Sequence, residues 1–321
     1  MKNRNFLKIM VTALVLSFLV AGPAVSAEKK SLVFATASAT GSYYVLGGGL
    51  CMTFEQNIPE IKEAIAQVTA GSVENVRLIN KGEVDLALAN AVVVGEAYQG
   101  SKRFKGGLKN IQSLSWAQVN TQHYIVAKNS GITSLADLKG KRVSVGSPGS
   151  GTAFNFKSIM DTAGISLKAL NLQFLNNTAA IDAFKDGRLD CIGVAGNMPA
   201  STVYSLSMTR PIEIISIDQK IIDKLHDQLP GYVKVKIPAG TYKGMDKDAY
   251  TFGAVNTILS NSNVSADIIY KILKTIKAKK EWLTENIHLG FSEFKFDPSV
   301  SKVAPLHPGA VRFYKELGLL K

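Results

Sequence analysis

The sequence predicts an α/β fold of two lobes, each a mostly parallel sheet flanked by helices and joined to the other by hinge strands. Three observations carry this. The chain exceeds what one hydrophobic core usually organises, strands and helices alternate along it through short glycine-containing turns, and one helix–glycine–strand unit occurs twice.

The N-terminal segment fixes the expected compartment. Lys2, Arg4 and Lys8 precede an uncharged apolar run from Ile9 to Val20, and small residues lead from there to Val25-Ser26-Ala27. This reads as a secretory signal peptide over residues 1–27, cleaved after Ala27, so the mature chain begins near Glu28 and is expected in the periplasm. A retained anchor is disfavoured because the run is shorter than the roughly 20 residues that a spanning helix needs. The nearest cysteine is Cys51, which argues against a lipid-anchored N-terminus. Losing the three leader charges lowers the formal net charge from +12 to +9. A basic balance invites a nucleic-acid reading. The compartment and the scatter of the charges exclude it, and the densest stretch, Lys271 to Lys280, reads as the solvated face of a helix.

The elements follow in order. A strand over Leu32 to Ala37 leads through the polar loop Ser38 to Ser42 into a helix from Tyr43 to Gln56. A second strand near Ile65 to Thr69 meets Gly71-Ser72, where Ser72 is the expected N-cap of a helix ended by Gly82, and the strand Val84 to Ala89 follows. The same order restarts after a strand at His123 to Lys128: strand Arg142 to Gly146, loop Ser147 to Thr152, helix Ala153 to Ala163, helix Ala179 to Asp186, Gly187, strand Asp190 to Ala195. Leu78-Ile79-Asn80-Lys81-Gly82-Glu83-Val84-Asp85 matches Ala183-Phe184-Lys185-Asp186-Gly187-Arg188-Leu189-Asp190 in kind, although helix–glycine–strand punctuation is generic to βα units. Further strands are expected at Ile212 to Ser216, Tyr232 to Lys236 and Tyr250 to Val255, with amphipathic helices from Ser265 to Lys279 and Pro308 to Leu317. The C-terminal helices are expected to return to the first lobe, giving residues 28–124 with 256–321 as one lobe and 125–255 as the other. Segments Thr121 to Lys128 and Tyr250 to Asn256 would then cross between them as a hinge.

Ligands of open α/β sheets sit at the carboxyl ends of strands, against the N-termini of the following helices. Four segments occupy that position: Ser38 to Tyr44, Asn90 to Gly95, Ser147 to Thr152 and Gly196 to Ser201. None carries a charge. They offer hydroxyls, the amides of Asn90 and Asn197, small residues that expose backbone N–H groups, and the rings of Tyr43 and Tyr44. That inventory suits an anionic group held by helix N-terminal donors rather than by lysine or arginine. The simpler alternative is that Ser42 and Thr152 merely cap helices. Gly149-Ser150-Gly151-Thr152 lacks the third glycine of a dinucleotide fingerprint, and Leu135 and Arg142 spoil a P-loop ending at Gly140-Lys141.

Catalysis finds little support. His123, His226, His288 and His307 are isolated, so spacing argues neither a metal cluster nor a nucleophile–base pair, and there is no G-x-S-x-G elbow. No enzyme, cofactor or metal site is expected. His123, in an apolar strand, reads as a satisfied core histidine. Cys51 and Cys191 lie in different halves, where a bridge would lock a hinge, so two buried free thiols are expected.

Together, Ala39-Thr40-Gly41-Ser42-Tyr43-Tyr44, Gly71-Ser72-Val73-Glu74-Asn75, Gly82-Glu83-Val84-Asp85-Leu86-Ala87 and Leu138-Lys139-Gly140-Lys141-Arg142-Val143 with Gly149-Ser150-Gly151-Thr152 form an ordered set. The set resembles the TAXI family of solute receptors, from about Leu32 to the Gly240-Thr241-Tyr242 turn and more weakly beyond. The resemblance implies a two-lobed periplasmic binding protein that closes on glutamate, 2-oxoglutarate or a related small carboxylate, acts as a monomer, and serves a TRAP transporter membrane subunit. An ATP-driven importer or a sensory role is the alternative. The ligand-binding residues it implies are Thr40, Gly41, Ser42, Tyr43, Tyr44, Ser72, Asn75, Asn90, Ser150, Gly151, Thr152, Gly196, Asn197 and Met198. Two departures stand out: Asn90-Ala91-Val92 replaces the Gln-Ser-Asp run common in the family, and Val45 replaces a proline. Loss of an acid at Val92 removes a partner for an amino group and favours a ligand without an amine.

Overall fold

The computed structural model describes residues 30–321 apart from Lys102. The signal peptide expected over 1–27 lies outside the described residues. Strand β1 (Lys30–Ala35), helix α1 (Ser42–Asn57), β2 (Ile61–Gln67), α2 (Ser72–Lys81), β3 (Leu86–Asn90) and α3 (Ala91–Gln99) form the first lobe, with β1 parallel to both β2 and β3. The long strand β4 (Ile111–Ala127) leads into the second lobe, where β5 (Arg142–Ser144), α4 (Gly151–Thr162), β6 (Asn171–Gln173), α5 (Asn177–Lys185), β7 (Cys191–Gly196) and α6 (Ser201–Thr209) repeat the plan. Here β5 lies parallel to both β6 and β7. After β8 (Ile212–Ile214), α7 (Gln219–Gln228) and β9 (Tyr232–Ile237), the chain returns along β10 (Ala249–Asn261), antiparallel to β4. The strand order β2-β1-β3-β10-β4-β7-β5-β6 is thus two parallel triplets joined through two antiparallel crossing strands.

The repeated sequence unit is a repeated structural device. Gly82 and Gly187 follow α2 and α5 with φ of 74° and 70°, a left-handed conformation that glycine adopts at little cost. Three residues later, Asp85 and Asp190 perform the same task. Each donates its backbone N–H to a neighbouring strand, to Val33 and Arg142 carbonyls at 3.0 and 2.9 Å, and its carboxylate accepts the N–H of that same residue at 2.9 and 2.8 Å.

Apolar clusters cover both faces of the sheet. Helices α1, α8 (Ala266–Asn286) and α9 (Pro308–Glu316) pack together on the first lobe around Leu46, Phe54, Ile272 and Phe313. The basic stretch on α8 is a surface face in which Lys271 pairs with Glu60 and Asp267, and Lys274 with Glu316. A second cluster runs continuously from Val73 and Val92 of the first lobe to Phe154, Phe156 and Tyr232 of the second. Cys51 and Cys191 are buried free thiols in different clusters. No helix among the described residues is long and apolar enough to cross a membrane.

Four local expectations need correction. Asn90 to Gly95 is not a loop: Ala91 to Gly95 open helix α3, because burying Val92, Val93 and Val94 outweighs the weak helix preference of a β-branched run. Ser72 is the first residue of α2 rather than its N-cap, which is Gly71. Strand β2 begins at Ile61, ahead of the expected Ile65. Strand β4 begins at Ile111, well before His123, with Ser113, Ser115 and Gln118 buried in a segment too polar to read as a strand.

Candidate ligand-binding cleft

Helix N-termini converge between the lobes. Gly41, Gly71, Asn90, Ser150 and Asn176 are the N-caps of α1, α2, α3, α4 and α5, and all five line one cleft. Its other walls include Ser42, Tyr43, Ser72, Gly151, Thr152 and Asn155, and Asn120 and Asn256 from the crossing strands. None of these side chains is charged. Alternation along β4 and β10 gives the crossing strands two characters: Asn120 and Asn256 face the cleft, while Val119 and Val255 line an apolar groove on the other side.

The cleft is polar but internally braced. Tyr43 Oη donates to Asn256 Oδ1 at 2.5 Å, and Asn256 Nδ2 donates to the Gln118 carbonyl at 2.8 Å. Burial raises the Tyr43 hydroxyl pKa well above its ordinary value, so it remains a neutral donor. Ser72 Oγ accepts the Asn90 N–H at 3.1 Å. Three N-termini are closed by their own side chains: Asn90, Ser150 and Asn176 accept from Val92, Ala153 and Ala179. Across the lobes, Gly149 O accepts from Val73 and Glu74 N–H of α2 at 3.1 and 3.2 Å. The lobes meet so closely that a Cβ at Gly151 would lie 2.7 Å from Ser72 Oγ. Helix α1 differs. No side chain caps it, no acid stands in its first turn, and the N–H groups of Ser42 and Tyr43 have no acceptor among the described residues. An open helix N-terminus beside hydroxyls and amides is an anion-binding arrangement.

A family model matches residues 34–318, nearly the whole described chain. The chain belongs to the NMT1-like family. Among solved structures, the NMT1-like chain is similar to the alkanesulfonate-binding protein SsuA from Xanthomonas axonopodis pv. citri bound to MOPS, at 15% identity and a TM-score of 0.52, over 92% of this chain and 86% of that one. It is also similar to PhnD1 from Prochlorococcus marinus (MIT 9301) in complex with methylphosphonate, at 13% identity and a TM-score of 0.51, over 77% of this chain and 84% of that one. These likenesses show the fold: the two-lobed α/β architecture of periplasmic binding proteins.

Within the NMT1-like chain the residues singled out from sequence separate into three groups. Gly41, Ser42, Tyr43, Ser72, Asn90, Ser150, Gly151 and Thr152 line the cleft just described. Thr40, Gly196 and Asn197 line a second compartment that shares Gly41 and Ser42 with the first. Tyr44, Asn75 and Met198 line neither. Asn75 is fully buried and its amide donates to the Thr36 and Leu88 carbonyls, each at 2.7 Å, so it braces the sheet beneath the cleft. Met198 is 40% exposed. Val92 is not a cleft wall, because the turn of α3 carries its side chain into the apolar groove behind, beside Gly231. Sequence reasoning missed Asn120, Asn155, Asn176, Asn256 and His288. Asn176 carried a signal, an Asn-Asn-Thr step before an apolar helical run; strand pairing and packing bring in the others from far along the chain.

Proposed function

We propose that this protein is an extracytoplasmic solute-binding receptor that captures a small oxyanion by closing its two lobes and passes it to a membrane transporter. The observation that carries this is the uncharged cleft, where five helix N-termini meet hydroxyls and amides and α1 is left uncapped. Residues 28–124 with 256–321 form one moving body and 125–255 the other, pivoting on β4 and β10, so that affinity includes the free energy of closure. SsuA is bound to MOPS and PhnD1 to methylphosphonate. The anion reading for this chain nevertheless rests on its own lining.

The first compartment holds no carboxylate, so an ammonium group would be desolvated there without an ionic partner. A carboxylate, sulfonate or 2-oxo acid lacking an amine is favoured over glutamate. The whole lining carries this preference, since Val92 faces the groove behind the cleft. The same lining supports binding over catalysis, since it supplies no general base. The partner is a membrane transporter, either an ATP-driven importer or a TRAP carrier: the NMT1-like match names neither, and the motifs quoted above stand behind the TRAP reading. Native mass spectrometry of residues 28–321 after expression and export tests the ligand class. Recovery of an amine-free anion is expected; recovery of free amino acids alone contradicts it.

A further inference from the structure

The second compartment continues the first through Gly41, Ser42, Asn177 and Ala195, and it contains the one histidine on either lining, His288. His288 precedes the short 3-10 turn Leu289–Glu293, and its Nδ1 accepts the Gly290 N–H at 2.8 Å. A ring nitrogen that accepts carries no proton, so the neutral imidazole holds its hydrogen on Nε2, which has no acceptor among the described residues. Burial lowers the His288 pKa and favours this neutral form. Gly290 makes the corner possible. A Cβ there would lie 2.6 Å from both Asn197 Nδ2 and Gln118 Oε1 and 2.8 Å from His288 Nδ1. Gln118 is fully buried, and its Nε2 donates to Ser42 Oγ at 3.1 Å, which ties the corner to the first compartment. Helix α6 begins on the same lining, with Ala200 as an N-cap that offers no side-chain acceptor and no acid in the first turn.

We infer that the second compartment receives the far end of the ligand through an acceptor oxygen, with His288 Nε2–H as the specificity-determining donor. The ligand is then an elongated molecule with an oxyanion at the α1 end and a carboxylate or amide carbonyl at the His288 end. This rests on the anion-receptor reading, and the test separates the two.

Calorimetric titration of ligand-stripped residues 28–321 uses butyrate, which has the oxyanion head alone, and glutarate and glutaramate, which add a second acceptor. Glutarate and glutaramate are expected to bind at least about tenfold more tightly than butyrate. His288→Ala should weaken glutarate and glutaramate far more than butyrate and so erase that advantage. Gly290→Ala, whose added methyl crowds Asn197 Nδ2, Gln118 Oε1 and His288 Nδ1, should shrink the advantage by displacing the His288 ring. Equal affinity of all three probes for the unaltered protein, or an equal loss for all three in His288→Ala, overturns the inference while the receptor reading stands. Failure of all three to bind the unaltered protein overturns the inference, and failure of methanesulfonate and methylphosphonate as well overturns the receptor reading with it.

Discussion

Asn90 Nδ2 donates to Asn155 Oδ1 across 2.7 Å, a bond that joins the end of a first-lobe strand to a second-lobe helix. Asn155 is 2% exposed, and its Oδ1 also accepts from Tyr232 Oη at 2.8 Å. One buried carbonyl oxygen therefore holds two donors, one from each lobe. Replacing Asn155 by Ala strands Asn90 Nδ2 and leaves Tyr232 Oη only its longer bond to Ser158 Oγ at 3.4 Å, and is expected to cost about 2 kcal/mol of stability, read as a lower urea midpoint. Because the contact exists when the lobes are together, the variant should also bind ligand more weakly. An unaltered urea midpoint would show that the contact is dispensable.

Thr152 lines the cleft at the first turn of α4, while Ser150 carries the cap. Removing a hydroxyl that meets a charged ligand oxygen costs about 1 kcal/mol or somewhat more. Thr152→Ala should weaken anion binding by roughly fivefold and leave the melting temperature of the ligand-free protein nearly unchanged. Unchanged binding would remove Thr152 from the site.

Asp85 and Asp190 show how far the fold was legible. Helix, glycine and aspartate stand in the same order in both lobes, and both aspartates bridge strands in the same way. Local chemistry decides such features, so sequence order exposes them. Asn256 lies opposite Tyr43 because β10 pairs between β3 and β4, more than two hundred positions away, and nothing local marks it. His288 is illegible for the same reason: it looked isolated because its neighbours Asn197 and Gln118 arrive from other strands and loops. The run Ala91-Val92-Val93-Val94-Gly95 misled because propensity was outweighed by burial.

His123 is fully buried between Val194 O and Tyr242 Oη, the latter 2.8 Å from Nε2, and burial pushes its pKa down to about 4. Above pH 6.5 both folded and unfolded states are neutral and the group contributes no pH dependence. As pH falls from 6.5 toward 4 the unfolded state binds a proton that the folded state refuses, so stability drops, by about 2 kcal/mol at pH 5. Carboxylates such as Asp190, held below the usual range by hydrogen bonding to Arg142, lose their contribution only at lower pH. Urea unfolding at pH 7.5 and pH 5 should show a steep loss that His123→Gln flattens. Parallel losses in both proteins would contradict this assignment.

Burial raises the Cys51 thiol to about 12 and pushes Cys191 higher. Neither should react with a thiol reagent at pH 8 until the protein is unfolded, when both should react, and reductant should leave the melting temperature unchanged. A reductant-dependent melting temperature would point to a disulfide.

The most direct test of the central claim is thermal unfolding of ligand-stripped residues 28–321 against butyrate, glutarate, 2-oxoglutarate, methanesulfonate, methylphosphonate, glutamate and a neutral sugar. A ligand that binds only the folded state at a hundredfold excess over its Kd stabilises by about 2.7 kcal/mol, enough to raise the midpoint by several degrees. Such a shift is expected with at least one amine-free anion and none with the sugar. A shift with the sugar or glutamate alone would contradict an uncharged cleft built to hold an oxyanion.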